Sequence, residues 1–246
     1  MKILAANCRG LARASANRDI RALLRQHSPD CLVLSETLIT ESSMISKLNS
    51  WGFNHYCYVP PINLSGGFCA AWKSSLRVEP VEMDKHVIHC LVYLEPSPTP
   101  WTLSALYGPS RVSDRPAFWN KIGALKERFN NPWLLVGDLN GTLLNNERAG
   151  PGVSRFAHRS SQPLRQMVEN VGLIDLGVAG GKYTWRNGRR GMAFARARLD
   201  RALCDDQWRR LYPSTRVTML PATFSDHSPL IIDLLHGPVI GGLISW

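Results

Sequence analysis

Polar side chains close apolar runs at Asn7, Glu36, Tyr107, Asp138 with Asn140, Asp200, and Asp226 with His227. Carboxylates converging with an amide oxygen build a hard, all-oxygen site that suits Mg²⁺ better than zinc. A histidine among them can donate to a phosphate oxygen or orient an attacking water. Asp138 and Asn140 are two residues apart, so a strand running through both would point them to one side. Each piece alone has a plainer reading. Gly137-Asp138-Leu139-Asn140 also reads as a turn at a strand end, and an Asp-His pair as an ordinary polar contact. Glu36 also reads as a charge at the start of a helix opening at Thr37, and Asp200 as a neutralised link between Arg198 and Arg201. Their shared placement at strand exits, in one order, favours a common site.

The elements that must position these groups alternate. Residues Lys2–Asn7 and 31–34 read as buried strands around a helix at 15–27, whose Ile20, Leu23 and Leu24 share one face; this is a right-handed βαβ unit. Strands follow at 53–59, 67–73, 77–81, 87–94 and Trp101–Tyr107, separated by Pro, Gly and Ser clusters. In the last of these, Trp101, Leu103, Ala105 and Tyr107 alternate with Thr102, Ser104 and Leu106, the period of a strand with two distinct faces. A helix starts at Ser113 with Phe118, Ile122, Leu125 and Phe129 as its stripe, and a strand at 133–136 follows. Residues 145–161 read as a surface loop. A helix carrying Leu164, Met167, Val168 and Val171 comes next, then short strands at 183–187, 196–204, 215–220 and 230–235. This pattern implies an α/β architecture of two sheets packed face to face with helices outside. It also implies one domain over residues 1–235 and a Gly-rich tail at 236–246, the start of a linker or a fortuitous terminus.

The 246 residues, 44% hydrophobic and 20% charged, can bury a full core and exclude disorder as the whole answer. Lys and Arg total 29 against 19 Asp and Glu, a net charge of +10. That excess points to a polyanion, with DNA first and RNA second, or else serves solubility. No apolar stretch has the length of a membrane span or a signal peptide. Cys8, Cys31, Cys57, Cys69, Cys90 and Cys204 show no CxxC spacing, so neither zinc nor a disulfide framework is expected, and an intracellular location fits. Residues 182–216 are rich in arginine, with Tyr183 and Trp185 interleaved. Arg189 and Arg190, in the turn at 187–191, are the strongest candidates for phosphate contact, and Trp185 for stacking on a base. Trp119, Trp133, Trp208 and the methionines read as core. His27, His55, His86, His89, His158 and His236 read as ordinary polar residues.

Six blocks carry a resemblance: Ile3-Leu4-Ala5-Ala6-Asn7, Leu34-Ser35-Glu36-Thr37, Tyr107-Gly108-Pro109, Gly137-Asp138-Leu139-Asn140, Arg198-Leu199-Asp200-Arg201 and Ser225-Asp226-His227-Ser228-Pro229. Together they resemble the signature of the endonuclease/exonuclease/phosphatase superfamily. Asn7-Cys8-Arg9-Gly10-Leu11, Gly66-Gly67 leading to Trp72-Lys73, and Tyr183-Thr184-Trp185-Arg186-Asn187-Gly188 are closest to the apurinic-like endonuclease domain of plant LINE-type retrotransposons. The resemblance implies a DNase I-like, four-layer α/β sandwich of two mixed sheets flanked by helices. It also implies a Mg²⁺-dependent, monomeric, nuclear endonuclease that nicks DNA and leaves a 3′-hydroxyl, with Mn²⁺ as an alternative metal. On that basis Glu36 is the main metal ligand, with Asn7 in the same shell and Asp226 the remaining acid. Asp138 orients or deprotonates the attacking water and Asn140 helps hold it. Tyr107 contacts the scissile phosphate. His227 donates to a phosphate oxygen, and Asp200 fixes its ring. The chain departs from the pattern at Ala6, in place of a Trp, and at Arg9 and Ser110, in place of an acid and an Asn found in DNA-repair relatives. The same fold could instead serve a small phosphate ester or RNA, or persist as a silent nucleic-acid-binding module.

Overall fold

The opening strand β1 (Lys2–Asn7) pairs in parallel with β2 (Cys31–Ser35) through the helix α1 (Ala14–His27). This computed structural model describes residues 1–246 apart from 63–64, 95–96, 98, 154–158 and 235–246. The tail at 236–246, His158 and His236 therefore lie outside the described residues. Alternation along β1 sends Ile3 and Ala5 to one face and Leu4 and Ala6 to the other, and both faces are buried.

α2 (Glu41–Trp51) follows, its N-cap Thr40 accepting the Ser43 N–H and Gly52 closing it in the left-handed region. It begins later than Thr37, because Thr37 is buried with its hydroxyl against Tyr58. β3 (His55–Ile62), β4 (Ser65–Trp72), β5 (Arg77–Met83), β6 (Val87–Tyr93) and β7 (Trp101–Tyr107) form the meander. α3 (Arg115–Arg128) then crosses to β8 (Trp133–Asp138), which pairs in parallel with β7. Later elements are β9 (Arg148–Ala149), α4 (Gln162–Val171), β10 (Ile174–Asp175), β11 (Trp185–Arg186), β12 (Arg196–Ala197), β13 (Asp200–Cys204), α5 (Asp206–Leu211), β14 (Arg216–Met219) and β15 (Leu230–Asp233).

Two six-stranded sheets result, ordered β14-β15-β1-β2-β4-β3 and β10-β13-β8-β7-β6-β5, with a small sheet β11-β12-β9 beside them. The central cluster holds Ile3, Val33 and Phe68 of the first sheet against Cys90, Leu103 and Val136 of the second. α1 and α2 cover the first sheet's outer face through Ile20, Met44 and Leu48. α3 and α4 cover the second through Phe118, Trp119, Ile122, Leu125, Leu164 and Met167. These are the four layers of a DNase I-like sandwich. No helix among the described residues is long and apolar enough to cross a membrane.

Three local expectations need correction. The stretch 196–204 is two strands in different sheets, because the chain turns between Ala197 and Asp200. Residues 145–161 are more than a surface loop: β9 pairs with β12, and Glu147 is buried. Met83 and Met192 are exposed, Met192 to 81%, so the methionines are not uniformly core.

Candidate active site

The parallel pairs β1/β2 and β7/β8 end at the same edge of the sandwich. In the second sheet Tyr107, Asp138 and Asp200 stand side by side across three strands. In the first, Asn7 lies opposite Ser35, and Glu36 follows at once. The segment before β15 adds Asp226 and His227, tied down by Arg186 N–H to the Asp226 carbonyl and Ser228 N–H to the Thr184 carbonyl.

Asn7 joins the two sheets. Its Nδ2 donates to Glu36 Oε1 at 2.9 Å and to Asp138 Oδ2 at 3.0 Å. The Tyr107 hydroxyl donates to the same Glu36 oxygen at 3.2 Å. His227 Nδ1 lies 2.9 Å from Asp200 Oδ2, and its Nε2 lies 3.9 Å from Asp138 Oδ2. Thr184 Oγ accepts the backbone N–H groups of Leu199 and Asp200, fixing where Asp200 begins its strand.

Asn140 reaches the site by a different route from the expected pleat. β8 stops at Asp138, and Asn140 adopts φ 48°. Its N–H donates to Asp138 Oδ1 at 2.9 Å and its Nδ2 to the Gly108 carbonyl at 2.8 Å. Gly108 is required here, since an added Cβ would collide with the Leu139 carbonyl. Arg9 and Glu36 share the left-handed conformation, at φ 46° and 51°, so strained backbone is concentrated around the site.

Asp226 meets Trp185 Nε1 at 3.0 Å and Arg9 Nε at 3.1 Å, while Arg9 Nη1 reaches Glu36 Oε2 at 3.4 Å. One groove beside the site is lined by Arg9, Arg148, Trp185, Asn187, Arg189 and Asp226. A second, on the other flank, is lined by Phe68, Lys85, His86, Tyr107, Ser110 and Arg111. The Endonuclease/Exonuclease/phosphatase family model matches residues 4–227.

The chain belongs to this family. Among solved structures, it is similar to the AP endonuclease LMAP from Leishmania major, with a TM-score of 0.71 and 18% identity over 94% of this chain and 86% of that one. The 3′ phosphatase NExo (D146N) from Neisseria, bound to a product DNA hairpin, gives 0.72 and 18% over 95% and 98%. The endonuclease domain of TRAS1, a telomere-specific non-LTR retrotransposon, gives 0.66 and 16% over 94% and 97%. No curated protein matches the sequence significantly.

For a member of this family, the electrostatics of the site are informative. Burial alone would lower the His227 pKa, but the charges of Asp200 and Asp138 outweigh it and push it up to about 10. Burial, opposed by His227 and reinforced by Asp200, pushes Asp138 up to about 6. Burial first, then the Glu36 and Asp138 charges, raise Tyr107, which stays a neutral phenol. Asp138, Asp200 and His227 are clustered closely enough to hold a metal ion. Glu36 adjoins this cluster through Asn7, whose amide nitrogen donates to both Glu36 and Asp138. Glu36, Asp138, Asp200 and Asp226 bring four carboxylates against Arg9 and His227 as the cations in direct contact. That surplus of hard anionic oxygen fits a divalent cation.

The arginine-rich stretch divides. Arg189 and Arg190 are exposed, and Arg189 lines the groove, in a turn shaped by Asn187, which accepts the Arg189 and Ala195 N–H groups. Arg198 and Arg201 do not face a ligand. Both pair with Glu147 and Asp175, and the Arg201 side chain is fully buried. Arg210 pairs with Asp206 along α5. Sequence reasoning passed over Glu147, whose Oε2 also accepts the Leu143 and Leu144 N–H groups. His86, read from the sequence as an ordinary polar residue, stands beside the site, its Nδ1 2.7 Å from the Tyr107 carbonyl oxygen. Neither residue sits in a motif or spacing that could have flagged it.

Proposed function

We propose that the protein is a divalent-metal-dependent endonuclease that nicks DNA and leaves a 3′-hydroxyl, of the kind found in LINE-type retrotransposons. The observation that carries this reading is the line Asp138–His227–Asp200 beside the Asn7–Glu36–Tyr107 set, with hydrogen bonds joining the two. Glu36 would hold the cation, Mg²⁺ or Mn²⁺, with Asn7 beside it and Asp226 as the remaining acid. When bound, the cation supplies charge stabilisation at the phosphate and help for the departing oxygen.

The chain's own groups supply the rest. Asp138, kept ionised above about pH 6, takes the proton of the water that attacks in line. Asn140 holds that water, using the amide oxygen left free while its nitrogen is tied to Gly108. His227, protonated and oriented by Asp200, donates from Nε2 to a non-bridging phosphate oxygen as negative charge builds there. Tyr107 turns its hydroxyl from Glu36, to which it donates in the structure, to the scissile phosphate. The groove with Trp185 and Arg189 receives the DNA backbone on one flank, and Arg190 adds exposed charge next to it.

The test is nicking of supercoiled plasmid with Mg²⁺, with chelator, and with the Glu36→Ala and His227→Ala proteins. Metal-dependent nicking that both variants lose supports the reading. Folded protein that retards DNA without nicking it would sink it in favour of a silent binding module.

A further inference from the structure

Arg9 stands between two acids that belong to different parts of the chain. Its Nε lies 3.1 Å from Asp226 Oδ1 and its Nη1 3.4 Å from Glu36 Oε2. The backbone is shaped to put it there. Arg9 adopts φ 46°, its N–H donates to Asn7 Oδ1, and Arg13 Nη2 donates to its carbonyl. The Gly10 N–H bonds the Glu36 carbonyl, which ties the loop to the acid it serves. The partners are largely enclosed, with Glu36 and Asp226 side chains 16% and 24% exposed, whereas the Arg9 side chain is 53% exposed. The guanidinium can therefore leave without unfolding anything, and the groove it lines is the one that carries Arg189.

We propose that Arg9 is a built-in counter-cation that a divalent metal must displace from Glu36, so that metal binding turns the guanidinium toward a DNA phosphate in the adjoining groove. This rests on the reading of Glu36 as the metal-binding acid. Glu36 has one negative charge to share between two cations, and a permanent guanidinium charge beside a divalent ion would repel it. Linkage makes the effect reciprocal. A phosphate that draws Arg9 away from Glu36 strengthens metal binding, and the metal strengthens phosphate binding by the same factor. Arg9 is thus a positioning residue whose effect shows in binding before any bond is cut.

The experiment measures Mn²⁺ affinity by electron paramagnetic resonance for the wild type, Arg9→Gln, Arg9→Lys and Glu36→Gln, each checked for folding by thermal melting. Without DNA, Arg9→Gln should bind Mn²⁺ about tenfold more tightly than wild type. Arg9→Lys, whose ammonium cannot bridge both acids, should tighten binding by less. A short duplex with a cleavage-resistant phosphorothioate backbone should tighten Mn²⁺ binding to wild type by a larger factor than to Arg9→Gln, which keeps the direct phosphate–metal contact but has no guanidinium to draw away. Equal or weaker Mn²⁺ binding by Arg9→Gln, with wild type still dependent on Glu36, overturns the proposal alone, since a merely structural arginine would loosen the site when removed. Binding unaffected by Glu36→Gln overturns the placement of the metal and the proposal with it.

Discussion

The Asp200 carboxylate holds His227 by Nδ1 at 2.9 Å, which leaves Nε2 turned toward Asp138. One acid therefore orients the ring and the other shares the space into which it donates. Asp200→Asn removes the charge that keeps the imidazole protonated and exchanges an acceptor for a mixed group. Turnover should fall on the order of a hundredfold or more with little change in DNA affinity. Single-turnover nicking alongside a binding titration separates the two effects.

The pH profile follows from the same pair. On the proposed mechanism activity requires Asp138 ionised and His227 protonated, so it should rise through about pH 6 and fall through about pH 10. For stability the sign is set by His227, whose folded pKa is raised. Its contribution is complete below the unfolded value near about 6.5 and is lost as pH rises through about 10. Asp200→Asn should pull the upper limb of the activity profile downward, which a stopped-time nicking series across pH will show.

Glu36→Gln keeps the hydrogen bonds from Asn7 and Tyr107 but removes the charge that a hard cation needs. The rate should drop roughly a thousandfold, and chelator should abolish what the wild type does. A Glu36→Gln protein as fast as wild type at saturating Mg²⁺ would put the metal elsewhere.

Arg201 is a stability residue and not a DNA contact. Arg201→Met leaves Glu147 and Asp175 with Arg198 as a shared partner, at a cost of about 3 kcal/mol. That corresponds to a melting temperature lower by roughly 6–12 °C, measurable by calorimetry. Affinity for DNA, measured well below the melt, should stay as it was.

Arg189 should behave oppositely. Arg189→Ala should leave the melting temperature unchanged, weaken DNA binding, and reduce the slope of log affinity against log salt by about 1. Arg190→Ala, outside the groove lining, should move that slope less. Fluorescence anisotropy over a salt series distinguishes them.

The layers were legible in the sequence wherever period and burial agreed. Lys2–Asn7 is a short, unbroken apolar run, the mark of a strand buried on both sides, and its two faces fill two different clusters. Asn7, Glu36, Tyr107 and Asp138 stand at or just past strand ends, as short apolar runs ending on them implied. Asp200 instead opens β13 and His227 precedes β15, because these strands run antiparallel to β8 and β1 and bring their starts to the same edge. Charge was the misleading signal. Arg198 and Arg201 look like Arg189 on paper, and what separates them is Glu147 and Asp175, brought in from distant sequence to neutralise the first two. Strand period also failed at Asn140, where a left-handed residue does what the pleat was expected to do. The short helix α5 carried its own signal, an Asp205 side chain accepting the Trp208 N–H, yet it is too brief for periodicity to register.

The first strand, β1, is hydrogen-bonded between β2 and β15, so near neighbours in space are among the most distant in sequence. During synthesis the ribosome releases Asn7 and Glu36 long before His227, and the gap beside β1 stays open until β15 arrives to fill it. Until residue 227 has emerged, the edge that gathers Asn7, Glu36 and Asp138 lacks both Asp226 and His227. On the proposed reading, the chain gains its proton donor only after β14 has been made, so a fragment that stops short of residue 227 should bind a phosphate backbone without cutting it.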